Sequence, residues 1–301
     1  MPIGRISLGT AQLGMPYGIA GSGSLLNDRE VTSILQSAVD HGITALDTAP
    51  DYGLAEQRVG AFLRQHDLEN EISVTTKLPA IGTVEARRLE HIVEQRLISS
   101  LQRLRCEFVD VYLIHDFADL KRYQKRLVEA LLRQRERGRV LDVGVSVYDP
   151  DELELVAEYP DLTVVQHPCN LLDRRLLHSD WLARLRANGT KLQIRSILLQ
   201  GLLAIPSGDI PERMSDARAA VATLQDVLAN LAVSLPEAAV AFAVSLDADR
   251  VIVAADSAAQ LDALLAGIDI ELPDGLDDAL ETMLAELPRA VYDPRTWPSS
   301  R

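Results

Sequence analysis

The chain has little cysteine: two residues in 301, Cys106 and Cys169, far apart and without metal-ligand spacing. That excludes a disulfide framework and a cysteine-built metal centre, and it suits a reducing cytoplasm. Positive charge is also short, with 30 Lys and Arg against 44 Asp and Glu and a formal net charge of -14. A phosphate backbone would be repelled on average, so nucleic acid is not an expected partner, although a local basic pocket for a dinucleotide is compatible with this balance. No apolar run is long enough to cross a bilayer, so no membrane partner is expected. The opening Met1-Pro2-Ile3-Gly4-Arg5-Ile6 lacks the basic start and apolar stretch of an export signal, and a cytoplasmic location is expected. The histidines and acids show no ligand spacing of the usual kind, so no metal is expected.

What the chain does have is alternation. A hydrophobic fraction of 47% over 301 residues fits one core as well as two. Short apolar runs read as strands at Arg5 to Leu8, Thr44 to Asp47, Ile72 to Lys77, Phe108 to His115, Val140 to Ser146, Leu162 to Gln166, Lys191 to Ser196 and Arg250 to Ala254. Between them the spacing predicts helices at Asp28 to His41, Ala55 to His66, Glu85 to Arg105, Leu120 to Gly138, Pro150 to Glu158, Arg174 to Asn188, Ser215 to Ala232, Leu235 to Ser245 and Ala258 to Ala266. Parallel neighbours need long crossovers, and a strand followed by a helix eight times over predicts a (β/α)8 TIM barrel, an α/β fold. A single domain over residues 1–301 is expected, with an extra helix at Asp277 to Leu287 and the tail 274–301 packed over or beside the barrel.

Three successive strands stop at chemistry-bearing residues. The second ends in Ala45-Leu46-Asp47-Thr48-Ala49-Pro50-Asp51-Tyr52-Gly53, the third in Lys77 and the fourth in His115. Ends of parallel strands share one rim, where such folds keep their sites. Singly, Asp47 could cap a helix, Tyr52 cover the core, Lys77 sit at an exposed strand end and His115 be a satisfied core residue. Four suitable types in order on successive strand ends outweigh those readings. Asp51 and Asp116 read as rim solvation, and His167 as a corner-packing residue.

These four residues resemble the catalytic tetrad of the aldo-keto reductase family. The family's glycine-rich opening has a counterpart in Leu8-Gly9-Thr10-Ala11-Gln12-Leu13-Gly14, and its sixth strand in Val164-Val165-Gln166-His167-Pro168-Cys169-Asn170. The likeness runs from about Ile6 to about Leu265. It implies a nicotinamide-dependent oxidoreductase interconverting a small-molecule carbonyl, aldehyde or ketone and possibly sugar-like, with its alcohol. By that resemblance Tyr52 is the general acid/base, Lys77 the ammonium that lowers the phenol's pKa, Asp47 the partner of the lysine, and His115 the group that orients the substrate oxygen. Gly9, Thr10, Ser146, Gln166, Asn170, Arg195, Ser196, Ser257 and Gln260 are the implied cofactor contacts.

Three positions depart from the family pattern. Val147 stands where an asparagine commonly follows Ser146. Arg195 replaces the tyrosine that stacks on the nicotinamide, and a guanidinium can also stack on a flat ring or meet a carboxylate or phosphate. After strand eight, Ala254 to Leu265 contains no basic residue for an adenosine 2′-phosphate, and Asp256 would repel one. The expectation is NADP(H) in preference to NAD(H), loosely held. Two other readings keep the barrel: a redox-neutral epimerase or lyase using Tyr52 and Lys77 for proton abstraction, and a non-catalytic regulatory subunit. The sequence sets no oligomeric state.

Overall fold

Buried β-branched and aliphatic runs become the staves of the fold. Val140–Ser146 is buried at all but two of its residues, and Ile6–Gly9, Ala45–Asp47 and Val164–Pro168 are buried throughout. Strands covered on both faces suit a parallel sheet closed on itself with helices outside. The computed structural model describes residues 2–21, 23–229, 233–272 and 275–297. Its strands are β1 (Ile6–Gly9), β2 (Ala45–Asp47), β3 (Ser73–Leu78), β4 (Val109–Ile114), β5 (Val140–Ser146), β6 (Val164–Pro168), β7 (Lys191–Arg195) and β8 (Arg250–Val253). They close in sequence order, with β8 pairing back onto β1 in parallel. The register sets Asp47 beside Gly9 and Thr75, Lys77 beside Leu113, and Ser146 beside Gln166, so the strand ends meet at one rim.

The helices follow the sequence where local signals are strong. Those described are α1 (Ala11–Gly14), α2 (Asp28–Asp40), α3 (Ala55–Gln65), α4 (Leu89–Leu104), α5 (Phe117–Tyr123), α6 (Lys125–Glu136), α7 (Glu152–Ala157), α8 (Trp181–Ala187), α9 (Ser215–Ala229), α10 (Leu235–Ser245), α11 (Ala258–Leu265), α12 (Leu276–Ala285) and α13 (Arg289–Tyr292). Asn27 with Glu30 and Ser234 with Glu237 form reciprocal capping boxes that start α2 and α10. Residues 230–232, the end expected for the helix from Ser215, lie outside the described residues, as do 274 and 298–301 of the tail.

Two helices differ from expectation. The charged segment Leu120 to Gly138 is broken at Gln124, which has φ 48° and ψ -133°. The break is enforced from outside: the Asp119 carboxylate accepts from Ile81 N at 2.5 Å and Gly82 N at 3.2 Å, and the Tyr123 hydroxyl donates to Gly82 O at 2.6 Å. α5 is thereby tied to the loop after β3, while α6 packs on β5. The helix expected from Arg174 begins only at Trp181, because Asn170 Oδ1 accepts from Leu172 N and Asp173 N and Asp173 binds the Arg175 guanidinium, holding the preceding stretch in turns.

The tail helices α12 and α13 lie against α9. Asp293, 1% exposed, accepts from Arg289 and Arg295, and both arginines also reach Asp149 in the loop after β5. Among the described residues no helix is long and apolar enough to cross a membrane.

Candidate active site

At the C-terminal rim the strand ends surround a cavity of about 260 Å³. Its walls include Gly9, Thr10, Asp47, Tyr52, His115, Ser146, Gln166, Arg195, Ser196 and Gln260. The long loop after β1 supplies Tyr17 and Ala20 as a roof and is pinned to the segment after β7 by Ile19 N donating to Gln200 O at 2.9 Å. Gly18, at φ +78°, makes that approach: a Cβ there would stand 2.5 Å from Gln200 O.

The turn carrying Tyr52 is held from below. Thr10 N and Oγ1 both donate to Asp47 O, at 3.0 and 2.9 Å, and Leu54 N donates to Gly14 O at 3.0 Å. Gly14 lies so close that a Cβ would fall 1.8 Å from Tyr52 O. The glycine-rich opening thus acts as a mould for the tyrosine turn, whatever else it contacts.

Behind that turn sits a buried polar network. Lys77, 1% exposed, donates from Nζ to Asp47 Oδ1 at 2.6 Å and to Thr48 O at 2.9 Å. Gln166 Nε2 donates to the other carboxylate oxygen of Asp47 at 2.7 Å and to Gln193 Oε1 at 3.0 Å. Toward Tyr52, the ammonium lies 5.1 Å from the ring centroid. His115 stands edge-on to Tyr52 with ring centroids 6.1 Å apart, and its Nδ1 is 3.1 Å from Asp51 Oδ2. Asp47, Tyr52, Lys77 and His115 therefore do converge, although Lys77 lies behind the cavity wall rather than in it.

Burial pushes the Tyr52 phenol well above its ordinary range, Asp47 adds to the rise, and Arg195 opposes it. An ammonium paired with a carboxylate at salt-bridge distance projects a reduced field onto the phenol. Burial lowers Lys77 itself, with Asp47 opposing. His115 is pushed down to about 4, mainly by burial and then by Lys77, and is neutral near pH 7.

Among the expected cofactor contacts, Gly9, Thr10, Ser146, Gln166, Arg195, Ser196 and Gln260 line the cavity, whereas Asn170 and Ser257 are not in its wall. Asn170 is spent on structure, donating to Ser196 O at 3.0 Å and capping the turn after β6. Ser257 caps α11 by accepting from Gln260 N at 3.1 Å. Val147, in place of the usual asparagine, accepts from Arg195 Nη2 at 3.0 Å through its backbone oxygen. Sequence reasoning missed Gln193, the second partner of Gln166, and Tyr148, whose ring centroid is 4.1 Å from the Arg195 guanidinium and 4.0 Å from that of Arg295. It missed Gln12 and Tyr17 as wall residues too. The even spacing of Gln193 and Arg195 on β7 was a usable signal for the first; nothing local marks the others.

Two buried acceptors in this wall, Gln166 Oε1 and Gln12 Oε1, have no partner among the described residues. Orphaned acceptors beside a cavity fit a ligand that carries amide or hydroxyl donors.

Comparison with known proteins agrees with this architecture. The model of the Aldo/keto reductase family matches residues 5–281. The chain is 26% identical over 181 residues to "Aldo-keto reductase YhdN" of Bacillus subtilis, a match covering 58% of this chain and 53%, about half, of that protein. It is 27% identical over 225 residues to the "NADH-specific methylglyoxal reductase" of Escherichia coli, covering 67% and 68% of the two chains. It is 27% identical over 310 residues to the "D-threo-aldose 1-dehydrogenase" of a Pseudomonas species, covering 89% and 93%. A Pseudomonas aeruginosa crystal structure assigned to the aldo-keto reductases shares the fold with a TM-score of 0.64 at 19% identity, covering 88% of this chain and 89% of that one. The chain belongs to the aldo/keto reductase family.

Proposed function

We propose that this protein is a nicotinamide-dependent oxidoreductase that reduces a small polar carbonyl compound to its alcohol, with Tyr52 as the proton donor. One observation carries the reading: a phenol kept protonated by burial faces the same cavity as His115, in front of the closed Asp47–Lys77–Gln166 network. A donor that holds its proton at neutral pH suits the reductive direction. The bound nicotinamide supplies the hydride, which no side chain can. With hydride supplied to carbon, the carbonyl π pair would move to oxygen, Tyr52 would give that oxygen its proton, and the tyrosinate would be reprotonated from solvent. Lys77 steadies the tyrosinate during that interval, and Asp47 and Gln166 hold Lys77 in place.

Gln166 Oε1 would accept from the carboxamide of the nicotinamide, and Ser146 would bind the same group. Arg195, braced by Val147 O and stacked on Tyr148, would face the flat ring or an anionic group of either ligand. The tail belongs to the same domain and shapes the outer wall by pressing Arg295 onto Tyr148. At the β8 end the wall carries Asp256 and no lysine or arginine. Free ribose hydroxyls donate to a carboxylate, whereas a 2′-phosphate is repelled by it. That supports NADH over NADPH, the other nucleotide from the one expected from sequence, and the Escherichia coli relative is itself named NADH-specific.

Titration with NADH and NADPH separately, followed by nicotinamide fluorescence, tests the reading. Saturable binding is expected, tighter for NADH, and Tyr52→Phe should retain binding while losing about 10²- to 10⁴-fold in kcat on a carbonyl substrate. Absence of binding by both nucleotides, or normal turnover by Tyr52→Phe, would refute it.

A further inference from the structure

The charges around the cavity do not all cancel. Lys77 and Asp47 form a closed pair at 2.6 Å, and His115 is neutral near pH 7. Asp256 stands at the β8 end under the roof loop, its Oδ1 3.8 Å from where a Cβ on Gly21 would lie. Arg195, at the end of β7, is different. Among the described residues no carboxylate pairs with its guanidinium, which donates to Val147 O at 3.0 Å and Ser196 Oγ at 3.2 Å and lies 4.1 Å from the Tyr148 ring centroid. These neutral partners orient the cation and leave its charge uncompensated, and a guanidinium does not give up its proton in a protein. The charge is felt across the cavity, since it opposes the rise in proton affinity of both Tyr17 and Tyr52.

Hydride transfer from a nicotinamide turns a neutral dihydropyridine into a pyridinium with one positive charge, because both electrons of the broken bond leave with the hydrogen. For hydride to reach the carbon whose oxygen takes the Tyr52 proton, the ring must lie beside Tyr52, with the reacting atoms about 3–3.5 Å apart. In a cavity of about 260 Å³ such a ring has Arg195 as a near neighbour. Like charges in a partly buried site repel far more than in bulk water, and salt screens them less. We propose that Arg195 makes the site discriminate between the two redox forms of one nucleotide, holding the neutral reduced ring more tightly than the cationic oxidised one. The inference rests on the reading of the protein as nicotinamide-dependent. It also suits the reductive direction, in which every turnover takes up the reduced nucleotide and must release the oxidised one.

The ratio of two dissociation constants tests this, because contacts to adenosine, ribose and phosphate are common to both forms and cancel. Nicotinamide fluorescence gives Kd for NADH, and competition against NADH gives Kd for NAD⁺. In the unmodified protein the NAD⁺ value should be larger by at least about tenfold, the effect expected of two like charges several ångströms apart at a partly buried site. Arg195→Gln keeps a planar hydrogen-bonding group and removes the charge, so the ratio should fall by at least about threefold. Arg195→Lys keeps the charge and should keep most of the ratio, with circular dichroism checking that both variants are folded. A ratio near one in the unmodified protein, an unchanged ratio in folded Arg195→Gln, or an equal fall in Arg195→Lys would overturn the proposal. If neither form binds, the nicotinamide reading fails and the proposal with it, whereas two forms bound equally well refute the proposal alone.

Discussion

Removing the buried ammonium is the most searching perturbation of this site. Lys77 is 1% and Asp47 4% exposed, and their atoms meet at 2.6 Å. In Lys77→Met the apolar stem is replaced almost isosterically, but the Asp47 carboxylate keeps only Gln166 Nε2, at 2.7 Å, as a side-chain donor. Breaking a buried pair from one side costs about 3–5 kcal/mol, because the remaining charge is left uncompensated away from water. For a domain of this size that corresponds to a fall in Tm of roughly 10 °C. Replacing both partners, as in Asp47→Leu/Lys77→Met, should recover most of the loss, since no buried charge then remains. Urea denaturation followed by circular dichroism and by tryptophan fluorescence would measure the four corners of the cycle and check that the two probes coincide. A single-variant loss below about 1 kcal/mol, or a double variant no more stable than the sum of the single losses implies, would refute the account of the pair as a mutually dependent buried unit.

Gly14→Ala should displace the Tyr52 turn, because the new methyl would lie 1.8 Å from Tyr52 O and 2.3 Å from Ala55 N. Carbonyl reduction should fall at least about tenfold, with a stability loss of about 1–3 kcal/mol, while Gly4→Ala, which meets nothing within 4 Å, should change neither. His167 is fully buried and pushed down to about 3 by that burial. Its folded pKa lies below the unfolded value, so the unfolded chain takes up the proton first. Stability is therefore fully present above about pH 6.5 and declines by up to about 5 kcal/mol as pH falls toward 3. Urea midpoints at pH 7 and 4.5 should differ less in His167→Gln than in the unmodified protein, and an equal difference would show that His167 is not the titrating group. Asp256→Ser should raise affinity for NADPH relative to NADH by about tenfold, one pair of like charges at a partly buried site being worth about 1–2 kcal/mol; an unchanged ratio of the two dissociation constants would place the adenosine elsewhere.

The primary sequence determined the parts whose causes are local. The strands are β-branched or aliphatic runs with polar residues at or just beyond several of their ends, so Asp47 and Lys77 could be read at the ends of β2 and β3, Tyr52 in the turn after β2 and His115 just past β4. Asn27 with Glu30 and Ser234 with Glu237 marked helix starts for the same reason: a cap and the amides it binds lie within one turn. Tertiary structure decided whatever depends on groups distant in the chain. The break at Gln124 follows from Asp119 and Tyr123 reaching the loop after β3, and Asn170 left the cavity because its amide was taken up by Ser196 and the turn after β6. Tyr148 became a wall residue only when Arg195 and Arg295, far apart in the chain, both closed on its ring. The phenol's proton affinity was decided there as well. A lysine five strand residues into β3 announces a nearby positive charge, but its pairing with Asp47 and the loss of water around Tyr52 are properties of the closed fold that no short stretch of residues contains.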